Sequence, residues 1–151
     1  MIMDKLLEFA DGESIAAFTA AGGNELIGDI IDLEVARDIG NGEPLYLVIQ
    51  IDTAVAGTSS TVNFKLASDA AAAIATDGSA TEHWQSGDIA EATLVAGYVV
   101  AIVPLPYENP AYERYLGIQA DVGTANLSAG AVSAFLVRNP SAYKAYAEGA
   151  N

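Results

Sequence analysis

The sequence predicts an all-β fold of the sandwich or barrel type, built from several short strands. Two observations support this prediction. Apolar and polar residues alternate over short stretches, which is the pattern of half-buried strands, and clusters of Gly, Asn, Asp and Ser separate these stretches. The chain has 151 residues, near the usual size of one domain, and it shows no internal repeat or linker. We therefore expect one domain over residues 1–151.

The best-defined strand covers residues 45–52. Its odd-numbered residues from Leu45 to Ile51 are all apolar and fall on one face, because side chains alternate with a period of two. The preceding residues 39–44, Ile-Gly-Asn-Gly-Glu-Pro, hold two glycines and a proline, a composition typical of a turn. The sequence predicts that this segment turns the chain into a core strand.

The rest of the chain yields further strands and little helix. Buried or half-buried strands are expected at 61–68, 98–105, 115–122 and 131–138, and weaker patterns predict strands at 25–35 and 92–95. Residues 131–138 carry apolar side chains on both faces, which suits a strand covered on two sides. Short helices are expected at 68–75 and from Ser141 to Gly149. Residues 1–12 are interpreted as an extended segment and 140–151 as a tail.

Charge and composition exclude several classes of function. The chain has 20 Asp and Glu against 6 Lys and Arg, a net charge of −14, so phosphate backbones and anionic membranes repel it. We expect neither nucleic-acid nor membrane partners. Cysteine is absent, and the first residues lack the apolar stretch of a secretory signal. Synthesis in the cytoplasm is the resulting expectation.

The sequence offers little chemistry. His83 is the single histidine, and neither G-x-S-x-G nor a phosphate-binding glycine motif is present. Carboxylate pairs such as Asp29/Asp32 and Glu108/Glu113 could imitate those of a glycosidase, but an acidic surface explains them more simply. We predict no catalytic residue, no cofactor and no metal site, and leave open a weak calcium site on clustered carboxylates.

Aromatic and cationic residues indicate an interface. Tyrosines cluster at 107–115 and recur near the C-terminus, and such side chains are common where proteins meet. Arg37, Arg114 and Arg138 are scarce cations in an acidic chain. Each is expected to have an acidic partner, within the fold or across a contact.

Three stretches together resemble the small capsid cement, or decoration, proteins of tailed bacteriophages: MIMDKLLEFAD, IDL...ARDIGNGEPLYLVIQID and ERYLGIQADVG...LSAGAVSAFLV. The similarity runs in order over most of the chain and is weakest at about 54–97 and after Asn139. It implies a jelly-roll β-sandwich that binds the outside of an icosahedral capsid, bridges neighbouring major capsid proteins and forms a homo-oligomer, a dimer or trimer. The location implied is the exterior of the virion, after synthesis in the bacterial cytoplasm, and no reaction is implied.

Twelve residues are candidates for this interface. The N-terminal ones are too apolar for a free tail; they either reach neighbouring subunits or cover the protein's own sandwich. The candidates are Met1, Ile2, Met3, Leu6, Leu7, Phe9, Arg37, Tyr107, Tyr112, Arg114, Tyr143 and Tyr146. The main alternative function is a carbohydrate-binding β-sandwich, in which Trp84, Tyr107 and Tyr112 would form a stacking platform.

Overall fold

The computed structural model describes residues 5–36, 42–106 and 109–142. Within these ranges the chain forms nine strands and three 3-10 turns. The strands are β1 (Glu8–Ser14), β2 (Asn24–Asp32), β3 (Tyr46–Ala56), β4 (Thr61–Asp69), β5 (Thr81–Gln85), β6 (Ile89–Ala90), β7 (Val99–Pro104), β8 (Tyr115–Gly123) and β9 (Ala129–Val137). The 3-10 turns are Lys5–Leu7, Glu91–Thr93 and Pro140–Ala142.

The strands form two antiparallel sheets packed as a sandwich. The first sheet has the order β1-β9-β3-β7, and the second has the order β2-β8-β4-β5, with β6 also paired to β4. Leaving the short β6 aside, the first strand pairs with the last, the second with the next to last, and so on inward to β4 and β5. A long hairpin rolled into two sheets gives this order, which is that of a jelly roll. The predicted all-β, jelly-roll-type fold is confirmed.

The main core lies between the two sheets. Leu47, Ile49 and Ile51 of β3 have no exposed surface, and they face Leu116 and Ile118 of β8 within one apolar cluster. The predicted inward face of β3 is therefore confirmed. Burying these side chains removes apolar surface from water, at roughly 25 cal/mol for each Å², which is the main force holding the sheets together.

A second, smaller apolar cluster lies on the outer face of the first sheet. It contains Val48 of β3 with Phe135 and Val137 of β9, all buried, and Tyr46 packs against it. The prediction that residues 131–138 are covered on both faces is confirmed by this arrangement. The sequence predicted a half-buried β3 with Val48 on the face opposite the core. Val48 is fully buried nevertheless, because the other members of this cluster pack around it.

The sequence left residues 1–12 either as a segment that reaches neighbouring subunits or as a cover of the protein's own sandwich. From Glu8 onward the chain belongs to its own sandwich, because Glu8–Ser14 form strand β1 and pair with β9. The strand also crosses close to β2, where Gly28 has φ +64° and a Cβ built there would lie 2.2 Å from the carbonyl oxygen of Phe9. Only a glycine allows this approach. Strand β5 was missed by the sequence analysis, because its sequence TEHWQ is short and polar.

The predicted helix at 68–75 is wrong. Residues up to Asp69 belong to β4, and residues 70–80 form a loop that we call the β4–β5 loop. The Asp69 carboxylate accepts hydrogen bonds from the backbone N–H groups of Ala71, at 3.0 Å, and Ala75, at 2.9 Å. These bonds lower the pKa of Asp69 and turn the backbone out of a helical path.

The β4–β5 loop also carries a buried apolar side chain. Ile74 is 5% exposed and lies against the second sheet, where a Cβ added to Gly117 would come within 2.6 Å of its Cδ1 atom. The Gln119 side chain donates a hydrogen bond to the carbonyl of Ala75 at 2.9 Å. The loop is therefore packed onto the outer face of this sheet.

Another predicted element differs from the structure. Residues 92–95 are not a strand: a 3-10 turn covers Glu91–Thr93, and Leu94 is fully buried with its carbonyl bonded to the N–H of Val55.

The helix predicted from Ser141 onward stays a prediction. The structure describes only its first residues, where a 3-10 turn covers Pro140–Ala142, and residues from 143 onward lie outside the described ranges.

Candidate interaction surface

The two ends of the sandwich differ in what they carry. One end, which we call the terminal end, carries the β2–β3, β4–β5 and β7–β8 connections and both described termini; the opposite end we call the distal end. At the terminal end, the N–H of Leu33 bonds to the carbonyl of Arg114, and the N–H of Leu105 bonds to that of Leu45, both at 2.8 Å. These bonds hold the connections of the two sheets in place.

Most of the described cations lie at the terminal end. Lys5, Arg114 and Arg138 belong to its connections or to the segments next to the first and last strands. The fourth cation of the described residues, Lys65 on β4, reaches toward the distal end, where its Nζ donates to the Asn24 side chain at 3.0 Å. The described residues of the terminal end therefore offer three cations to an acidic partner.

Arg114 is held by Asp32 in a two-pronged ion pair. Its Nε and one terminal nitrogen each donate to a different Asp32 oxygen at 2.8 Å, and its guanidinium lies 4.8 Å from the centre of the Tyr115 ring. These hydrogen bonds lower the pKa of Asp32 to about 2 and raise the pKa of Arg114 further above its usual range. The predicted acidic partner is present, 82 positions away and not the neighbouring Glu113.

Two more cations have acidic partners at this end. Arg138 contacts Glu43 through an ion pair in which both side chains are largely exposed, and Lys5 contacts Glu8. The expected acidic partner of Arg138 is therefore also found. The exposed pair of Arg138 contributes little to stability, so its two side chains can exchange partners at a contact at small cost. The Lys5 side chain is exposed too, but that of Glu8 is only 8% exposed.

The terminal end also exposes large apolar side chains. Leu6 is 79% exposed and Val35, which follows β2, is 58% exposed. Leu7, beside Leu6, is half-buried and packs against the core. An exposed apolar side chain gains free energy when a partner covers it. Val35 was missed by the sequence analysis, because a single valine in an acidic stretch gives no periodic signal.

Two of the candidate interface residues lie inside the protein. Phe9 is 1% exposed and Tyr112 is 2% exposed, and both belong to the main core. Their surface is used within the chain, so neither offers surface to a partner in this structure. Because Tyr112 is buried, it cannot take part in the stacking platform of the carbohydrate-binding alternative. Trp84 packs against the core and keeps part of its surface exposed.

The remaining candidate interface residues lie outside the described residues, so their place in an interface stays a prediction. They are Met1, Ile2, Met3, Arg37, Tyr107, Tyr143 and Tyr146. The described residues next to them, such as Lys5, Pro106 and Ala142, lie at the terminal end.

His83 belongs to a small polar cluster at this end. Its Nε2 lies 2.7 Å from the Ser68 hydroxyl oxygen, and its ring stacks on Tyr112 with 3.9 Å between the ring centres. The Glu113 N–H donates to the same hydroxyl at 3.0 Å, and the Thr81 hydroxyl donates to the Glu113 carboxylate at 2.6 Å. Ser68 is fully buried, so this serine cannot meet a substrate from solvent. The cluster fixes the end of the β7–β8 connection.

The two carboxylates of the pair Asp29/Asp32 have different surroundings. Asp32 is bound to Arg114, while Asp29 lines an open pocket of about 310 Å³ with Glu8, Asp11 and Glu13. Among the residues that the structure describes, no group of three or more His, Cys, Asp or Glu side chains is arranged to hold a metal ion. Glu113 accepts a hydrogen bond from Thr81, and Glu108 lies outside the described ranges.

The described part of the chain contains no helix of the length and apolar character needed to cross a membrane. Its architecture defines the class as a jelly-roll β-sandwich with an exposed, cation-bearing end. Residues 9–136, most of the chain, match the Bbp16 family, and the chain belongs to that family. No curated protein matches the sequence significantly.

Proposed function

We propose that this protein is a capsid cement protein of a tailed bacteriophage, which binds the outside of the shell through its terminal end and bridges neighbouring major capsid proteins. The observation that carries the proposal is that exposed Leu6 and Val35 lie at the same end of a jelly roll as three of the four cations among the described residues. Membership of the Bbp16 family and the extended resemblance to cement proteins support the phage association.

Cement acts by binding the assembled shell and not its free parts. Any protein that binds only the assembled state stabilises it by its binding free energy, and this gain is repeated at every site. A copy that touches two capsid subunits holds them at a high effective concentration, so each contact can be modest. A stable contact of this kind buries roughly 1,200–2,000 Å² in total.

The construction of the terminal end suits such a contact. Exposed Leu6 and Val35 supply apolar surface, and the exposed guanidinium group of Arg138 can bind a carboxylate in two-pronged geometry. The jelly roll holds these groups on strand ends, which keeps their spacing fixed. The chain as a whole is acidic, with a net charge of −14, which fits a position on the virion exterior, away from the packaged DNA.

We also propose that the protein catalyses no reaction and is synthesised in the bacterial cytoplasm before it joins the virion. The buried Ser68, the ion-paired Asp32 and the lack of a metal-binding group among the described residues support a structural role. A catalytic site needs reacting groups that are open to a substrate in a suitable geometry.

Co-sedimentation with phage capsids tests the proposal. Purified protein is mixed with expanded, undecorated capsids, and unexpanded procapsids serve as the control. We expect saturable binding to the expanded shell at a fixed stoichiometry. Failure to bind either shell would contradict the proposal.

A pair of matched variants tests which end binds. Val35→Glu places a carboxylate at the terminal end, and Val95→Glu does so at the distal end, where Val95 is 53% exposed. We expect the first variant to bind expanded capsids at least about tenfold more weakly, since one desolvated charge costs at least about 1.4 kcal/mol. The second should bind as the wild type does. Equal losses would refute the assignment to the terminal end.

A further inference from the structure

The four edge strands of the sandwich are protected unequally. Strands β1 and β7 are the edges of the first sheet, and β2 and β5 are those of the second. Strand β1 contains Glu8, Asp11 and Glu13, β2 contains three carboxylates and β5 contains Glu82. All four strands, β7 included, have a register irregularity, so charge is what distinguishes them. Charges on edge strands are a device that prevents pairing with another chain.

Strand β7 has no charged residue. Its sequence is Val-Val-Ala-Ile-Val-Pro, and in the described residues it pairs only with β3. Pro104 at its last position lacks an N–H group and so ends the bonding edge there. The stretch from Val99 to Val103 is therefore an uncharged β-strand with one side open in a chain whose net charge is −14.

The register shows which groups face the open side. The N–H of Leu105 bonds to the carbonyl of Leu45, and Val48 stands opposite Ile102 in the same ladder. Backbone groups alternate in direction along an antiparallel strand, so Leu105 and Val103 bond to β3 while Ile102 directs its N–H and carbonyl away from it. Ile102 is also the most exposed apolar residue of this strand, at 45%.

We propose that two copies of this chain pair through β7, antiparallel and centred on Ile102, so that their first sheets join into one eight-stranded sheet. The proposal deepens the proposed function, in which copies on the capsid also contact one another, by naming the strand through which they do so. Addition of a strand to an open sheet edge is a common mode of recognition.

A second copy is the occupant that the charges favour. Each copy has a net charge of −14, so two copies repel one another wherever their acidic surfaces meet. If the copies meet along β7, the two strands in contact carry no charged residue. An antiparallel pair of identical strands obeys two-fold symmetry, the commonest symmetry of homo-oligomers. Pairing also places the two Ile102 side chains together on the outer face, beside the apolar cluster of Val48 and Phe135.

Disulfide crosslinking tests this pairing. Because the chain has no cysteine, any disulfide that forms must join the introduced cysteines. Residues that exchange two hydrogen bonds in an antiparallel pair have Cα atoms about 5.5 Å apart, a distance that a disulfide spans. Under mild oxidation, Ile102→Cys should form a covalent dimer. Glu13→Cys, an exposed position on the charged edge β1, is the matched control and should stay monomeric. Equal crosslinking of the two variants would overturn the proposal.

Sedimentation velocity tests the same pairing without a crosslink. The wild type should sediment at twice the mass of the chain, Ile102→Glu should sediment as a folded monomer, and Val35→Glu should remain a dimer. A monomeric wild type, or a dimeric Ile102→Glu, would overturn the proposal.

Capsid binding separates this proposal from the proposed function. Ile102→Glu should still bind expanded capsids, more weakly because it binds as single copies, whereas Val35→Glu should form the dimer and bind capsids at least about tenfold more weakly than the wild type. If the wild type is monomeric and Ile102→Glu loses all capsid binding, the β7 edge belongs to the capsid protein and the dimer proposal fails. If no variant binds capsids but the dimer forms, the proposed function fails and the β7 pairing stands.

Discussion

The contact between Ile74 and Gly117 offers a sharp test of the fold, because it lies where the sequence predicted a helix. Ile74 is 5% exposed, and the space above Gly117 holds its Cδ1 atom. Ile74→Ala removes three carbon atoms from this site. Substitutions of this kind cost about 2–5 kcal/mol, and a surface loop that can partly collapse belongs near the lower limit, at about 2 kcal/mol.

Gly117→Ala tests the same contact from the other side. The added Cβ would lie 2.6 Å from Cδ1 of Ile74 and 2.9 Å from Cδ1 of Leu26, whereas carbon atoms pack at about 3.5–4.0 Å. We expect a cost of about 1–3 kcal/mol from overpacking. In the double variant the closest clash is absent and the new methyl group fills part of the space. The double variant should therefore be about 1–2 kcal/mol more stable than the sum of the single changes predicts.

Urea unfolding followed by the fluorescence of Trp84, the only tryptophan, measures all four proteins of this cycle. Val95→Ala, a change at an exposed apolar position, is the control and should alter the free energy of unfolding by less than about 0.5 kcal/mol. If the two changes prove additive within about 0.5 kcal/mol, or if Ile74→Ala costs no more than the control, the loop does not pack as described.

Three further predictions concern other contacts. Gly28→Ala should destabilise the protein by at least about 2 kcal/mol in the same unfolding assay, because φ is +64° and the methyl group would meet a β1 carbonyl; an unchanged midpoint would contradict this crossing. Tyr112→Phe, which removes the hydrogen bond to the Pro106 carbonyl, should cost about 1 kcal/mol, and wild-type stability would show that the bond contributes nothing. Asp32 has a pKa lowered to about 2, so its ion pair with Arg114 stabilises the fold above about pH 4 and is lost as pH falls through 2; the stability difference between wild type and Asp32→Asn should shrink over that range, and a pH-independent difference would refute the assignment.

Alternation along the chain was sufficient to predict the strands that bury one face. Leu47, Ile49 and Ile51 of β3 and the inward residues of β4 and β8 lie in the core as expected, because a period of two assigns a face without knowledge of the partner strand. Acidic strands such as β1 gave no such signal. Their stability comes from pairing with β9, which the local sequence does not encode.

The candidate surface was predictable only in outline. The scarcity of cations indicated that Arg114 and Arg138 would have acidic partners, but Asp32 lies far along the chain, and only the sheet order brings it to Arg114. Composition could not separate Tyr112, which is buried, from an aromatic side chain on the surface. Exposure depends on what the rest of the chain packs against a residue.

The sequence by itself determined the strand class, the acidic charge and the periodic core faces, since each follows from local spacing or from a sum over residues. Only the tertiary structure decided that most of the described cations lie at one end, that Ile74 packs onto Gly117 and that β7 is an uncharged edge. These features depend on contacts between residues distant in sequence. The rolled order of the strands creates those contacts, and no local pattern specifies that order.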